Sequence, residues 1–124
     1  LGISGLSSDF RDLEEAANNG NERAKLALDM FVDRARSYIG SYLIKLGKVD
    51  ALVFAGGIGE NSATIREALL TDLENFGIKL DKEINAKTRE EKLISAEDSP
   101  IKILVVPTNE ELMIAKETME VVQK

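Results

Sequence analysis

These residues predict a three-layer α/β fold, with helices over a sheet, and three observations carry the prediction. Two runs, 49–55 and 101–106, are almost wholly apolar and bounded by turn residues, as expected of buried strands, parallel and covered on both faces. Each run leads through a short polar stretch into the start of a helix. Ahead of them, Ala24, Leu28, Phe31, Ala35, Tyr38, Tyr42 and Leu46 recur at steps of three and four. That stripe predicts one long amphipathic helix from Glu22, closed by Gly47 as its C-cap.

The remaining elements follow in order. Residues 1–8 are rich in Gly and Ser and end at Ser8-Asp9, an N-cap pair for a helix through Asp12 to Ala17. Acidic residues in its first turn suit the helix dipole, and Asn18-Asn19-Gly20-Asn21 stops it. After the first strand, Gly56 to Asn61 is expected to be a loop. A helix then runs over 62–75, with Thr64 and Glu67 as a capping box and Gly77 at its end. Ile78-Lys79-Leu80 and Lys92 to Ser95 read as short strands around a partly helical stretch at 83–91. The charges at 87–92 form a solvated face. Pro107 ends the second strand. The last helix opens at Thr108-Asn109-Glu110-Glu111, with Thr108 and Glu111 as a capping box and Leu112, Met113, Ala115, Met119 and Val122 toward the core.

Composition narrows the function. The 124 residues make about one domain, with 44% hydrophobic and 31% charged residues. Sixteen basic against 22 acidic side chains give a net charge of −6, which argues against nucleic acid or anionic membrane as partner. No apolar run approaches the ~18 residues of a membrane span. With neither Cys nor His there is no thiol nucleophile, thiolate zinc site, Ser-His-Asp triad or imidazole base among these residues. The opening Leu1-Gly2-Ile3-Ser4 has no Met, no basic segment and no apolar core, so a piece of a longer protein is expected rather than a signal peptide.

Three segments are candidates for chemistry. The first is Gly56-Gly57-Ile58-Gly59-Glu60-Asn61, between a strand and a helix. Glycines there let backbone approach a ligand, and amides at a helix start face an anion or polar edge. The spelling is neither a Walker A loop, since no Lys follows, nor a dinucleotide fingerprint, whose last small position is Ser62 here. A tight turn with purely geometric glycines is the competing reading. The second is Pro107-Thr108-Asn109-Glu110-Glu111, at the carboxyl end of the second strand, where open α/β sheets place ligands. Glu110 is not needed for capping. It serves either the helix dipole or, if phosphates are near, Mg²⁺, which prefers oxygen donors. The third is Ser7 to Asp12, where Arg11 opposes the dipole and therefore needs a partner: Asp12, Glu14, Glu15 or a ligand.

Taken together, Gly-Leu-Ser-Ser-Asp-Phe-Arg-Asp at 5–12, Val-Phe-Ala-Gly-Gly-Ile-Gly-Glu-Asn-Ser at 53–62 and Pro-Thr-Asn-Glu-Glu-Leu-Met-Ile-Ala at 107–115 resemble the three C-terminal signatures of the acetate kinase family, in order. The resemblance covers essentially the whole chain. It implies the C-terminal half of the fold shared by sugar kinases, actin and heat-shock ATPases, here a single domain over 1–124 from a longer two-domain kinase. It also implies reversible transfer of the γ-phosphoryl group of ATP to acetate, giving acetyl phosphate and ADP, in a cytoplasmic homodimer. By resemblance, Asp9, Phe10 and Arg11 lie against the nucleotide. Gly57, Ile58, Gly59, Glu60 and Asn61 hold its adenosine part, and Glu110 helps bind Mg²⁺. The groups that handle acetate and the moving phosphoryl belong to the family's N-terminal domain. No catalytic residue is therefore expected within this chain, which alone is expected to be inactive. Propionate or butyrate kinases are the neighbouring possibilities. The alternative class is a non-catalytic nucleotide-binding or interaction module that docks through the stripe from Ala24 to Leu46.

Overall fold

Helix starts in this chain are set by side-chain caps. In the computed structural model, which describes residues 1–88 and 90–123, five helices begin on an oxygen that accepts an N–H of their first turn. Asp9 caps α1 (Phe10–Asn18) and Asn21 caps α2 (Glu22–Leu46). Ser62 caps α4 (Ala63–Leu70), Asp81 caps α5 (Lys82–Lys87) and Asn109 caps α6 (Glu110–Val122). Each such bond contributes about 1 kcal/mol. Two expected capping boxes are not used. Ser62 and Asn109 sit one residue outside the helix, where the side chain reaches the N–H three positions on; Thr64 lies inside the helix and Thr108 is bonded elsewhere.

Three strands make the sheet: β1 (Ala51–Phe54), β2 (Lys92–Leu93) and β3 (Lys102–Val105), in the order β1-β3-β2. β1 runs parallel to β3, with Leu52 opposite Ile103 and Phe54 opposite Val105, and β2 is antiparallel to β3. Ile78 and Leu80 make single bridges to Ile101 and Ser95 rather than a full strand. Because Leu52, Phe54, Ile103 and Val105 share one face, the core forms there with Ile65, Leu69 and Leu70 of α4 and with Ile78 and Ile94. The opposite face carries Val53, 54% exposed, and exposed Lys102. Strand β1 is therefore covered on one side only in this chain, and the expected third layer is not closed over it.

Helix α2 spans Glu22 to Leu46 as expected, with Gly47 at its end in a positive-φ conformation. The stripe that packs on the core is Leu28, Val32, Ala35, Ile39 and Leu43. Of the stripe read from the sequence, Ala24 is fully buried, whereas Tyr38, Tyr42 and Leu46 are exposed. One turn carries apolar residues on a wide arc, so two neighbouring stripes satisfy the same spacing and packing selects between them. Phe31 retains one specific contact: its ring meets that of Phe10 edge-on, with centroids 4.6 Å apart.

Two further departures have local causes. Residues 56–61 are not a loop but a short helix, α3 (Gly56–Asn61). The helix after it stops at Leu70, not near Asn75: Asp72 takes φ 60°, and residues Glu74–Phe76 form a 3-10 turn ended by Gly77. The guanidinium of Arg36 caps this early end. Its Nη1 donates to the carbonyls of Ala68, Leu69 and Thr71, the last at 2.7 Å, a cation on the negative end of the helix. Helix α6 has no buried residue, and Leu112, Met113 and Met119 are exposed, so the expectation that they join the core fails within this chain. Of the charged stretch 87–92, Arg89 lies outside the described residues; Glu90, Glu91 and Lys92 are exposed.

Candidate functional site

The start of α1 and the glycine segment after β1 are far apart in sequence but face one hollow of about 730 Å³. Asp9, Phe10 and Arg11 line it from one side, and Gly57, Ile58 and Asn61 from the other. Ser8, Glu14 and Ser62 complete it; none of these three was singled out from the sequence as a site residue. Gly59, Glu60 and Glu110 do not line it.

Three glycines fall in the segment for three different reasons. Gly56 takes φ +73°, which an L side chain adopts only with strain. A Cβ on Gly59 would sit 3.3 Å from the backbone carbonyl carbon of Phe54, so this glycine lets α3 lie directly on β1. A Cβ on Gly57 would meet nothing within 4 Å, and this residue borders the hollow. Geometry thus explains Gly56 and Gly59. Gly57 alone is left open toward the hollow.

Glu60 acts inside the protein. Its Oε1 accepts from the backbone N–H of Gly56 at 2.8 Å, from the N–H of Thr108 at 2.8 Å and from the Thr108 hydroxyl at 3.0 Å. It closes α3 onto its own first residue and ties it to the turn that opens α6. The Thr108 N–H is the main reason the Glu60 carboxyl lies below the ordinary glutamate range. Glu110 follows two residues after Thr108, exposed in the first turn of α6. The strut therefore joins two of the three signature segments.

At the mouth of the hollow, Arg11 finds its partner in none of the acids expected. It pairs with Asp9, Nη2 to Oδ2 at 2.9 Å and Nε to Oδ1 at 3.3 Å. The side chain of Arg11 is 87% exposed, so the pair adds little stability and leaves the guanidinium accessible. This Arg11 side chain holds the Asp9 carboxyl below the usual aspartate range. Deeper in, the Ser62 hydroxyl donates to Glu14 Oε1 at 2.5 Å while accepting the Ile65 N–H, which fixes the acid against the start of α4. Asn61 donates through Nδ2 to the carbonyl of Gly57 at 2.8 Å, leaving its amide oxygen as the remaining acceptor. In the sequence, Glu14 reads as a dipole partner or a partner for Arg11, and Ser62 only as the point where a helix begins.

The arrangement is suited to binding rather than bond-making. Phe10 and Ile58 supply apolar walls, Glu14 and Asn61 supply acceptors, and Arg11 supplies one mobile cation. No group of three or more His, Cys, Asp or Glu is placed to hold a metal among the described residues. Glu110 is a hard oxygen donor of the type Mg²⁺ takes, and Mg²⁺ commonly uses one or two carboxylates together with substrate phosphates. It therefore fits as one ligand of a site completed by other groups. No helix of the described residues is long and apolar enough to cross a membrane.

Comparison with known proteins identifies the family. Residues 1–116 match the sequence model of the Acetokinase family. An acetate kinase of Finegoldia magna is 63% identical over 120 residues, covering 97% of this chain and 30% of that protein. An acetate kinase of Methanosarcina barkeri is 56% identical over 123 residues, covering 99% of this chain and 30% of its own length. The crystal structure of Porphyromonas gingivalis acetate kinase matches with a TM-score of 0.90 and 49% identity, over 98% of this chain and 31% of that one. A propionate kinase of Francisella tularensis subsp. tularensis matches with a TM-score of 0.82 and 44% identity, over 94% and 29%. The chain thus spans about 30% of the length of the curated relatives it matches, and its fold is that of the corresponding part of the acetate kinases, in the actin-like class the sequence had suggested. Together, the family match over residues 1–116 and these identities show that the chain belongs to the acetokinase family.

Proposed function

We propose that this chain is the C-terminal, nucleotide-binding part of a two-domain, ATP-dependent acetate kinase that forms acetyl phosphate and ADP reversibly. The observation that carries the reading is the single hollow onto which Asp9, Phe10 and Arg11 converge with Gly57, Ile58 and Asn61. In it the nucleoside lies between the Phe10 ring and Ile58, close to the open backbone of Gly57. Asn61 accepts from the nucleoside's polar edge, and Arg11 swings from Asp9 to the phosphates. Gly59 and Glu60 serve the site by holding α3 in place, a support role in place of direct contact. Glu110 is the residue of this chain that would hold Mg²⁺, which would supply charge neutralisation at the phosphates. The protein's remaining part supplies the acceptor pocket and the groups around the transferring phosphoryl, and direct in-line transfer then depends on positioning and electrostatics. These 124 residues alone carry no turnover. The exposed Tyr38, Tyr42 and Leu46 on α2 suit a homodimer contact, and the enzyme works in the cytoplasm beside its nucleotide.

The structural likeness to a propionate kinase supports a second substrate reading, since the acyl pocket lies outside this chain. A Mg·ADP titration followed by amide NMR shifts tests the site. Saturable shifts clustered at 9–11, 57–61 and 110 are expected, and shifts that saturate elsewhere sink the assignment. Gly57→Val should weaken ADP affinity about tenfold or more, because the side chain enters the ligand's space. Steady-state rates of the intact protein with acetate and with propionate decide the acceptor.

A further inference from the structure

Arg66, on α4, is the largest fully buried side chain, 1% exposed, and belongs to none of the three signature segments' proposed contacts. All its nitrogens are used. Nε donates to Asn85 Oδ1 at 2.7 Å, Nη1 to the carbonyls of Gly59 and Glu60 at 2.9 and 2.8 Å, and Nη2 to the carbonyls of Asn85 and Thr88 at 3.0 and 3.2 Å. Among the described residues no carboxylate forms an ion pair with it. A cation taken out of water without a counter-ion is costly, so something in the structure must offset it. The offset is the carbonyl-rich ends of two short helices, α3 and α5, where the peptide dipoles present negative charge.

Helix α3 needs such an anchor. Half of its six residues are glycine, the poorest helix former after proline, and its N-cap residue Ala55 makes no side-chain bond. Glu60 holds the first residue, and Arg66 holds the carbonyls of the last turn. Gly57, Ile58 and Asn61, which line the hollow, belong to the helix held in this way.

We propose that Arg66 is a positioning residue for the nucleotide site: without touching ligand, its guanidinium clamps the last turn of α3 and so sets the height and tilt of residues 57–61. The proposal rests on the kinase reading for its ligand but not for its geometry. Lysine keeps the charge but lacks the flat fork that reaches the Gly59 and Glu60 carbonyls and Asn85 at once.

The test is Arg66→Lys in the intact protein carrying this chain, read in two ways. Without nucleotide, amide hydrogen exchange at 57–61 should accelerate about tenfold or more, with α1 and α2 unchanged. With substrates, KM for ATP should rise about tenfold while KM for the carboxylate and kcat stay within about twofold. A folded variant with normal exchange at 57–61 and normal KM for ATP overturns the proposal, as does one that loses only thermal stability. If Arg66→Lys does not fold, Asn85→Ala removes one acceptor and keeps the guanidinium; smaller changes of the same kind support the clamp, and none overturns it. Exchange needs no ligand, so faster exchange at 57–61 in a protein whose wild type ignores ATP upholds the clamp and refutes the kinase reading instead.

Discussion

The two strand-to-helix junctions of this molecule begin alike and end differently. After β1, the glycine segment lies on Phe54, is held at both ends by Glu60 and Arg66, and leads into α4, which is packed into the core. After β3, the chain passes Pro107 and is tied by Thr108 to Glu60, and α6 then runs with every residue exposed. Both junctions place polar groups at the carboxyl end of a parallel strand. Only the first is also braced by buried side chains. The bracing of a junction within this chain therefore follows from what its helix packs against, and the strand-to-turn chemistry alone does not supply it.

The contrast breaks first at its apolar contacts. Phe54→Ala should cost about 3–5 kcal/mol in denaturant unfolding, because it empties the space under α3 and α4. Ile114→Ala, on a residue 64% exposed, should change the stability of the 124-residue chain by less than about 0.5 kcal/mol. Equal costs would mean that α6 has a packing partner within the chain.

A finer contrast lies inside the first junction. Gly59→Ala should destabilise by about 1–3 kcal/mol, since the new methyl presses on the Phe54 backbone. Gly57→Ala, with open space and no positive φ, should be neutral or stabilise by up to about 1 kcal/mol. Thermal unfolding of the two variants side by side reads the difference directly.

The smallest effect concerns the strut between the junctions. The Thr108 N–H and, after it, the Thr108 hydroxyl and the Gly56 N–H lower the Glu60 carboxyl below its unfolded value, against a desolvation that raises it. A depressed folded pKa means that the strut contributes fully above the unfolded pKa and is lost as pH falls through the folded one. The Thr108 amide shift should therefore titrate below the ordinary glutamate range, and the titration should vanish in Glu60→Gln. A midpoint at or above the ordinary value would show that Thr108 does not donate to this carboxylate.

Much of this was legible from local pattern. The cap at Asp9, the start of α2 at Glu22 and its end at Gly47, and both parallel strands follow from side-chain oxygens, turn residues and apolar runs that act within a few positions. The resemblance of the three signatures likewise points to Asp9, Phe10, Arg11 and the 57–61 segment, of which Asp9, Phe10, Arg11, Gly57, Ile58 and Asn61 line one hollow. What stayed hidden depends on distant partners. Nothing near Gly56 to Asn61 predicts a helix, because the groups that stabilise it are a carboxylate folded back on its own first turn and a guanidinium from α4. The role of Arg66 depends on Asn85 and Thr88, which lie 19 and 22 residues further along the chain. Glu14 enters the hollow only because α1 crosses beside Ser62.

By itself the sequence determined the two parallel strands and the longer helices around them, the α/β class, the family and the kinds of group available for chemistry, because these rest on short-range propensities and on motif spelling. Tertiary structure decided which stripe of α2 is inside, which sheet face stays open and which glycine borders the hollow. It also decided that Glu60 and Arg66 work as internal braces. Those outcomes turn on burial and on hydrogen bonds between residues far apart in the chain, and a buried charge declares its partners only once the chain has folded around it.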